Sequence, residues 1–151
     1  MKEIRSFING KWTVGEGGQQ DVINPATTDV LGTVYFCSKQ QVGSAIAAAE
    51  TAFVDWRRTP AVERIQYLFK LKGLLQEHQD ELARLITLEN GKSIGESVGE
   101  LRRAIENVEV ACGTPMNSQG VVSEDIARGI DELMIRQPVG VCAIIAPFNF
   151  P

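Results

Sequence analysis

Asn149 has the side chain best suited to take part in a chemical reaction. Asn149 lies within Ala146-Pro147-Phe148-Asn149-Phe150-Pro151, between two aromatic residues and two prolines, a composition that predicts a rigid loop. An amide N–H group fixed in a low-dielectric site can donate a hydrogen bond to an oxygen that becomes negative in a transition state. The alternative is a structural asparagine whose side chain bonds nearby backbone, a common role in loops.

Arg103 is the second residue that could bind a ligand. A guanidinium group can hold a carboxylate through two parallel hydrogen bonds. Arg103 lies opposite the apolar stripe of a predicted helix, so this role requires a second domain to cover that face of the helix. A solvated surface arginine is the alternative.

The other chemically capable side chains are not assigned to catalysis. Cys112 and Cys142 lie in apolar stretches and are predicted to be packed as small hydrophobic residues. Cys37 precedes a predicted helix N-terminus, where the helix dipole favours a thiolate, but no histidine is close in sequence. His78, the only histidine, is predicted to be solvated at a junction between two helices. Glu89 and Lys92 flank the Asn90-Gly91 turn and are predicted to be caps and surface charges. No metal site is expected.

The segment before the Asn149 loop is an apolar run without alternation, Val141-Cys142-Ala143-Ile144-Ile145. Such a run predicts a strand that is buried on both faces, in a parallel sheet covered by helices. Ligands of open α/β sheets bind beyond the carboxyl ends of the strands, which is where Asn149 lies. Because this chain contains no parallel partner for that strand, we expect it to be part of a longer α/β protein.

Four helices are predicted in the middle of the chain from their caps and their apolar spacing. Ser38 and Ser93 each begin a capping box, with a glutamine or glutamate three residues later. The second helix is predicted to start at Thr59-Pro60, with the threonine as its cap, and the third to end at Asn90-Gly91. The fourth has the clearest apolar stripe: Ile94, Val98, Leu101, Ile105, Val108 and Cys112.

Short strands are predicted on both sides of these helices. Asn9-Gly10 supplies the two positive-φ residues of a type I′ turn, which predicts a hairpin over residues 7–12. Residues 31–37 are a predicted strand. Apolar residues on either side of a polar stretch predict a long hairpin over residues 121–137.

Composition and charge narrow the class of protein. The formal net charge is −4, with 15 Lys and Arg interleaved among 19 Asp and Glu, which argues against a nucleic-acid partner. No segment approaches the ~20 consecutive apolar residues of a membrane span, and no apolar export signal follows the first residues. Three cysteines without CxxC spacing argue against a disulfide framework and against a zinc site. The expected location is the cytoplasm.

Five short motifs, taken together, resemble one family. The segment ending in Pro147-Phe148-Asn149-Phe150-Pro151 resembles the PxNFP loop of the aldehyde dehydrogenase superfamily. The other motifs stand in the order and at the spacing of that family: Phe7-Ile8-Asn9-Gly10-Lys11-Trp12, Asn24-Pro25-Ala26-Thr27, Phe53 with Trp56, and Glu89-Asn90-Gly91-Lys92. The resemblance covers essentially the whole chain.

The resemblance implies an α/β fold in which residues 1–151 are the N-terminal part of the NAD-binding domain. This part would comprise a helical layer, a hairpin at residues 121–137 that contributes to oligomer contacts, and the first strand of a Rossmann-like parallel sheet. The catalytic domain would lie outside this chain. The whole enzyme is expected to be a homodimer or a homotetramer.

A narrower resemblance is to the methylmalonate-semialdehyde dehydrogenases. It rests on Gly91-Lys92, Gly99-Glu100, Arg103-Ala104-Ile105-Glu106-Asn107-Val108-Glu109, Ile135-Arg136-Gln137-Pro138-Val139-Gly140-Val141, and Phe148 where many relatives carry tryptophan. It implies an NAD-dependent, CoA-acylating enzyme that acts on methylmalonate or malonate semialdehyde. In that subfamily a cysteine attacks the aldehyde, hydride passes to NAD, the thioester loses CO2, and CoA takes the acyl group as propionyl-CoA or acetyl-CoA.

The same resemblance assigns roles to four residues. Asn149 would stabilise the oxyanion of the thiohemiacetal, and Arg103 would lie near the substrate. Ala146 and Phe148 would contact NAD through the backbone and the ring. Ala104 departs from the subfamily, which usually has glycine there, so the helix packing beside Arg103 is expected to differ slightly. The NAD-binding glycine loop, the glutamate base and the cysteine come later in family members, so residues 1–151 alone are expected to be inactive.

Other functions remain open at this point. A non-acylating semialdehyde dehydrogenase, such as one acting on succinate semialdehyde, is the first, because the sequence around the cysteine that would separate the two is not in this chain. A non-catalytic assembly module, which would bind full-length subunits through the hairpin at residues 121–137, is the second. A truncated form of the enzyme with no role of its own is the third.

Overall fold

The computed structural model describes residues 2–151, and β structure comes first along the chain. The N-terminal strands are β1 (Lys2–Ile4), β2 (Ser6–Ile8), β3 (Lys11–Thr13), β4 (Gln19–Ile23) and β5 (Val30–Tyr35). β5 lies at the centre of a three-stranded sheet, parallel to β1 and antiparallel to β4. The predicted strand at residues 31–37 is thereby confirmed as β5, which begins one residue earlier and ends two residues earlier.

The hairpin predicted at residues 7–12 is formed by β2 and β3. Asn9 and Gly10 connect the strands with φ values of 48° and 77°, the positive angles that a type I′ turn requires. Phe7 lies opposite Trp12 in the register, with ring centroids 5.0 Å apart. The local turn chemistry is therefore sufficient to set this hairpin.

Within residues 2–151 five helices follow: α1 (Lys39–Trp56), α2 (Ala61–Glu77), α3 (Gln79–Asn90), α4 (Ile94–Cys112) and the short α5 (Thr114–Asn117). Both predicted capping boxes are confirmed, at Ser38 before α1 and at Ser93 before α4. The end of α3 is also confirmed, because Gly91 adopts the left-handed conformation with φ 82°. The threonine cap of α2 is wrong. The cap is Pro60 without a side-chain bond, so Thr59 lies one residue too early to reach the free N–H groups.

The core lies among α2, α3 and α4. Ala83 of α3 is buried, as are Leu101 and Ile105 of α4. Ser97 is fully inaccessible, and its hydroxyl pairs with that of Thr87 at 2.8 Å, so this polar group is satisfied away from water. The apolar stripe predicted for α4 is therefore confirmed at its centre.

The predicted hairpin after residue 120 is formed by β6 (Val121–Ala127) and β7 (Ile130–Met134), which pair antiparallel. Every residue of both strands is exposed. The ladder is irregular between Ser123 and Ala127, where Asp125 has φ 50° and its N–H donates to Asp131 Oδ1 at 2.9 Å. The hairpin is thus held by its own two strands.

The strand predicted at residues 141–145 is not formed. This segment is not paired with any described strand, and Ile144 and Ile145 are 90% and 95% exposed. A strand exists only with neighbours that complete its hydrogen bonds, and the part of the chain described here supplies none at this place. For the same reason Cys142 is exposed, so the prediction that it is packed is wrong. Among residues 2–151 no helix is long and apolar enough to cross a membrane.

Candidate functional site

Asn149 lies in a tight turn rather than in an irregular loop. The N–H of Phe150 donates to the carbonyl of Pro147 at 3.2 Å, which closes a turn with Phe148 and Asn149 at its two central positions. The Asn149 side chain is exposed and makes no hydrogen bond within residues 2–151. Its amide group is therefore available to a further partner.

Two side chains from the α3–α4 junction bond the backbone of this turn. Asn90 Nδ2 donates to the carbonyl of Phe148 at 3.2 Å, and Lys92 Nζ donates to the carbonyl of Asn149 at 2.8 Å. Lys92 Nζ also lies 4.9 Å from the centroid of the Phe150 ring, within cation–π range. The turn is thus tied to the helical layer at two consecutive carbonyls.

The local sequence explains why this junction projects toward the turn. α3 ends at Asn90, and Gly91 then reverses the chain in the left-handed conformation. A Cβ atom at Gly91 would lie 2.9 Å from Pro25 Cγ, so the close approach of the proline ring also favours glycine. Ser93 caps α4 immediately afterwards. Asn90 and Lys92 are therefore held between a helix end and a helix start.

Lys92 is more buried than the sequence predicted. Its charge was expected at the surface, but the side chain is only 15% exposed and forms an ion pair with Glu100, whose side chain is 8% exposed. Glu100 lies on α4, eight residues after Lys92 in sequence. No local sequence feature indicated the pair, because Lys92 precedes the helix that carries its partner.

Arg103 lies near the turn but is not buried. Its side chain is 80% exposed and donates to Glu106 Oε2 at 2.6 Å, while Arg102 contacts the other carboxylate oxygen of Glu106 at 3.3 Å. Arg103 and Phe150 both line a shallow cavity of about 330 Å³, together with Lys92, Glu96, Gly99 and Glu100. The structure therefore brings Arg103 to the same surface as the Asn149 turn.

Glu96 carries the charge of the second capping box. The hydroxyl and then the backbone N–H of Ser93 donate to its carboxylate, and the positive charge of Lys92 adds to this effect, so the pKa of Glu96 is lowered. A carboxylate that accepts hydrogen bonds is stabilised in its charged form. Glu96 is therefore a structural anion beside the cavity.

Ala146 and Phe148, the two residues expected to contact NAD, are both exposed, and Phe148 is 91% accessible to solvent. Cys37 is half-buried with its thiol 3.2 Å from the Ser6 hydroxyl. His78 lies between α2 and α3, where its Nδ1 is 3.2 Å from a carboxylate oxygen of Glu81, as expected of a solvated junction residue.

Comparison with known proteins identifies the fold. Residues 12–151 match the model of the aldehyde dehydrogenase family. The chain is 46% identical over 151 residues to malonate-semialdehyde dehydrogenase 2 of Geobacillus thermodenitrificans, covering 99% of this chain and 31% of that protein. The crystal structure of methylmalonate-semialdehyde dehydrogenase from Oceanimonas doudoroffii superposes with a TM-score of 0.94 at 43% identity, covering 99% of this chain and 31% of that one.

A more distant solved structure gives the same fold. A double mutant of betaine aldehyde dehydrogenase from Staphylococcus aureus, in complex with NAD+, has a TM-score of 0.90 at 29% identity, covering 97% of this chain and 30% of that one. The fold class expected from the sequence is therefore confirmed. The chain spans about a third of the length of the relatives that it matches.

Proposed function

Because this chain belongs to the aldehyde dehydrogenase family, we propose that it is the N-terminal part of an NAD-dependent, CoA-acylating dehydrogenase of malonate or methylmalonate semialdehyde. The substrate class is supported by identities of 46% and 43% to dehydrogenases of these two semialdehydes. The observation that carries the proposal is the Asn149 turn, which presents a free amide on a backbone bonded from the α3–α4 junction.

Asn149 would stabilise negative charge on the aldehyde oxygen. When a thiolate attacks the aldehyde carbon, an electron pair of the C=O bond moves onto the oxygen. An amide N–H directed at that oxygen binds it more strongly than it binds the neutral aldehyde, which lowers the barrier. The thiolate would belong to a cysteine outside residues 1–151, so we propose that this chain alone is inactive.

The same turn suits NAD. Phe148 presents an exposed ring while its carbonyl is bonded by Asn90, so the ring is accessible on a fixed backbone. We propose that Phe148 contacts NAD through the ring and that Ala146 contacts it through the backbone. When bound, NAD accepts the hydride that the substrate loses. The contribution of this chain is to bind and orient the two reactants.

Arg103 would bind the carboxylate of the semialdehyde. Its guanidinium has five N–H donors, and the structure shows one of its nitrogens bonded to Glu106, so donors remain for a ligand. Arg103 and Phe150 line the same cavity, which is open to solvent beside the Asn149 turn. A carboxylate bound there would lie between the helical layer and the turn.

The domain assignment is also a proposal. Residues 1–151 would form the N-terminal part of the NAD-binding domain, and the catalytic domain would come from the rest of the protein. The exposed hairpin at residues 121–137 would make contacts in a homodimer or homotetramer, because it presents large apolar side chains such as Val122 and Leu133 to solvent. A small-molecule aldehyde and coenzyme A would be the substrates.

The test is an assay of the full-length enzyme that contains this chain. NADH formation would be measured with methylmalonate, malonate and succinate semialdehydes, each with and without CoA, and the acyl product identified by mass spectrometry. We expect CoA-dependent NADH formation and an acyl-CoA product from the first two. A free acid formed equally fast without CoA would support a non-acylating enzyme. A preference for succinate semialdehyde would contradict the proposed substrate. No NADH from any of the three aldehydes would refute the proposal as a whole.

Replacement of the amide tests the role of Asn149 directly. Asn149→Ala is expected to lower kcat by about 10²–10³-fold, the usual effect of removing an oxyanion donor. Asn107→Ala, an exposed asparagine on α4, is the matched control and should leave kcat unchanged. Equal rates for the two variants would remove Asn149 from the reaction.

A further inference from the structure

We propose that Lys92 is a positioning residue that sets the orientation of Asn149 through the backbone of its turn. The inference rests on the proposed function of Asn149 and adds to it a second residue that never touches the substrate. It assigns Asn90 a supporting part in the same arrangement. We call the side chains of Asn90, Lys92 and Glu100, which together hold the turn at residues 147–150, the clamp.

The contacts of the clamp converge on the residue that carries the amide. Lys92 Nζ donates to the carbonyl of Asn149 itself at 2.8 Å, and Asn90 Nδ2 donates to the preceding carbonyl, that of Phe148, at 3.2 Å. Two consecutive carbonyls bonded from one junction fix the two peptide planes on either side of Asn149. The direction of the Asn149 Cα–Cβ bond follows from those two planes.

Lys92 itself is immobilised from several directions. A lysine ammonium has three donors and no acceptor. Lys92 directs them toward Glu100 Oε2, toward the carbonyl of Asn149 and toward the face of the Phe150 ring. With only 15% of its side chain exposed, the lysine is more restrained than the flexible surface lysine that the sequence suggested.

The turn needs this external restraint. Among the described residues it has one internal hydrogen bond, from Phe150 N–H to the Pro147 carbonyl. An oxyanion donor acts only when it is held within about 0.5 Å of its productive position. The clamp supplies that restraint from the helical layer, at a distance of 57 residues in sequence for Lys92.

Lys72 offers a control, because its partner Glu109 lies on α4, the helix that also carries Glu100. Its Nζ is 2.8 Å from Glu109 Oε1, so it joins α2 to α4 by an ion pair of the same kind, away from the turn. Lys92→Met removes the bond from the clamp to the Asn149 carbonyl. Lys72→Met removes only the ion pair with Glu109 and leaves the clamp intact. Because Lys92→Met leaves Glu100 buried with an unpaired charge, Lys92→Met/Glu100→Gln is a second clamp variant that folds without that cost.

The kinetic test uses the full-length enzyme. We expect Lys92→Met and the Lys92→Met/Glu100→Gln variant to lower kcat by about 10–100-fold, the scale of a small misplacement of a reacting group, with KM for the aldehyde little changed. Lys72→Met should keep the parent kcat. On an Asn149→Ala background, Lys92→Met should cause no further loss, because there is no amide left to position.

Hydrogen exchange does not depend on catalysis, so it can distinguish the proposed role of Asn149 from the proposed role of Lys92. Hydrogen exchange of the Phe150 amide, the one bonded in the turn, should be faster in the clamp variants than in the parent and in Lys72→Met. If Asn149→Ala keeps full activity while Lys92→Met speeds this exchange, the role of Asn149 fails and the clamp stands. If Asn149→Ala is impaired while both clamp variants match Lys72→Met in rate and exchange, the clamp fails and the role of Asn149 stands. An additive loss in Asn149→Ala/Lys92→Met would also overturn the clamp.

Discussion

Helices α1 and α4 begin in the same way and are used differently. Each starts at a serine in extended conformation whose side chain accepts from the third residue of the helix, within a complete capping box. α4 then buries Ser97, Leu101 and Ile105 against its neighbours, whereas α1 buries no residue. Equal local signals therefore produce two helices of unequal importance to the core, because caps act locally and packing decides the rest.

Removal of a core side chain should give the largest difference between the two helices. Leu101→Ala is expected to lower the free energy of unfolding by about 2–5 kcal/mol, because it leaves a cavity among α2, α3 and α4. Ile46→Ala on α1, where the side chain is 49% exposed, should cost less than about 1 kcal/mol. Chemical denaturation of both variants measures this. Equal losses would mean that another part of the protein covers α1.

Removal of each cap should give a smaller difference. Ser93→Ala is expected to destabilise the protein by about 1 kcal/mol, because the start of α4 is coupled to the core and to the clamp. Ser38→Ala should loosen only the first turn of α1, since Gln41 keeps its bonds to Glu16 N–H and to the Val14 carbonyl. Hydrogen exchange at each helix start, measured together with the free energy of unfolding, distinguishes a local effect from a global one. A global loss from Ser38→Ala as large as that from Ser93→Ala would contradict this view.

The smallest expected difference depends on pH, because only the α4 box contains a titratable group. The pKa of Glu96 is lowered in the folded protein, chiefly by the Ser93 hydroxyl. The stabilisation is therefore fully present above the ordinary pKa of glutamate and is lost as pH falls through the lower, folded value. Glu96→Gln should be less stable than the parent at neutral pH and indistinguishable from it in acid. A difference that persists unchanged in acid would show that charge is not involved.

Local chemistry explains which features could be predicted from the sequence. The Asn9-Gly10 turn, the Ser38 and Ser93 capping boxes and the Gly91 helix end were all predicted correctly, because each depends on residues within about four positions of one another. The predicted threonine cap of α2 was wrong by one residue. An error of this size is common, because helix ends are uncertain by about one or two residues.

Features that join distant residues could not be predicted. Residues 141–145 have the composition of a buried strand, but a strand forms only against partners, and these residues lie exposed and unpaired. Lys92 looked like a surface charge, because nothing in the sequence near it indicates Glu100 or the turn. Arg103 was predicted on the outer face of its helix, and only the structure shows that this face shares a cavity with Phe150.

By itself, the sequence determined the helix starts at the capping boxes, the Asn9-Gly10 hairpin turn, the presence of an Asn149 loop between prolines and the family to which the chain belongs. The tertiary structure alone decided that Lys92 is buried against Glu100 and bonds the Asn149 carbonyl, and that α4 rather than α1 carries the core. The reason is physical. Caps and turns are satisfied by neighbours in sequence, whereas burial and ion pairing depend on which elements the folded chain brings together.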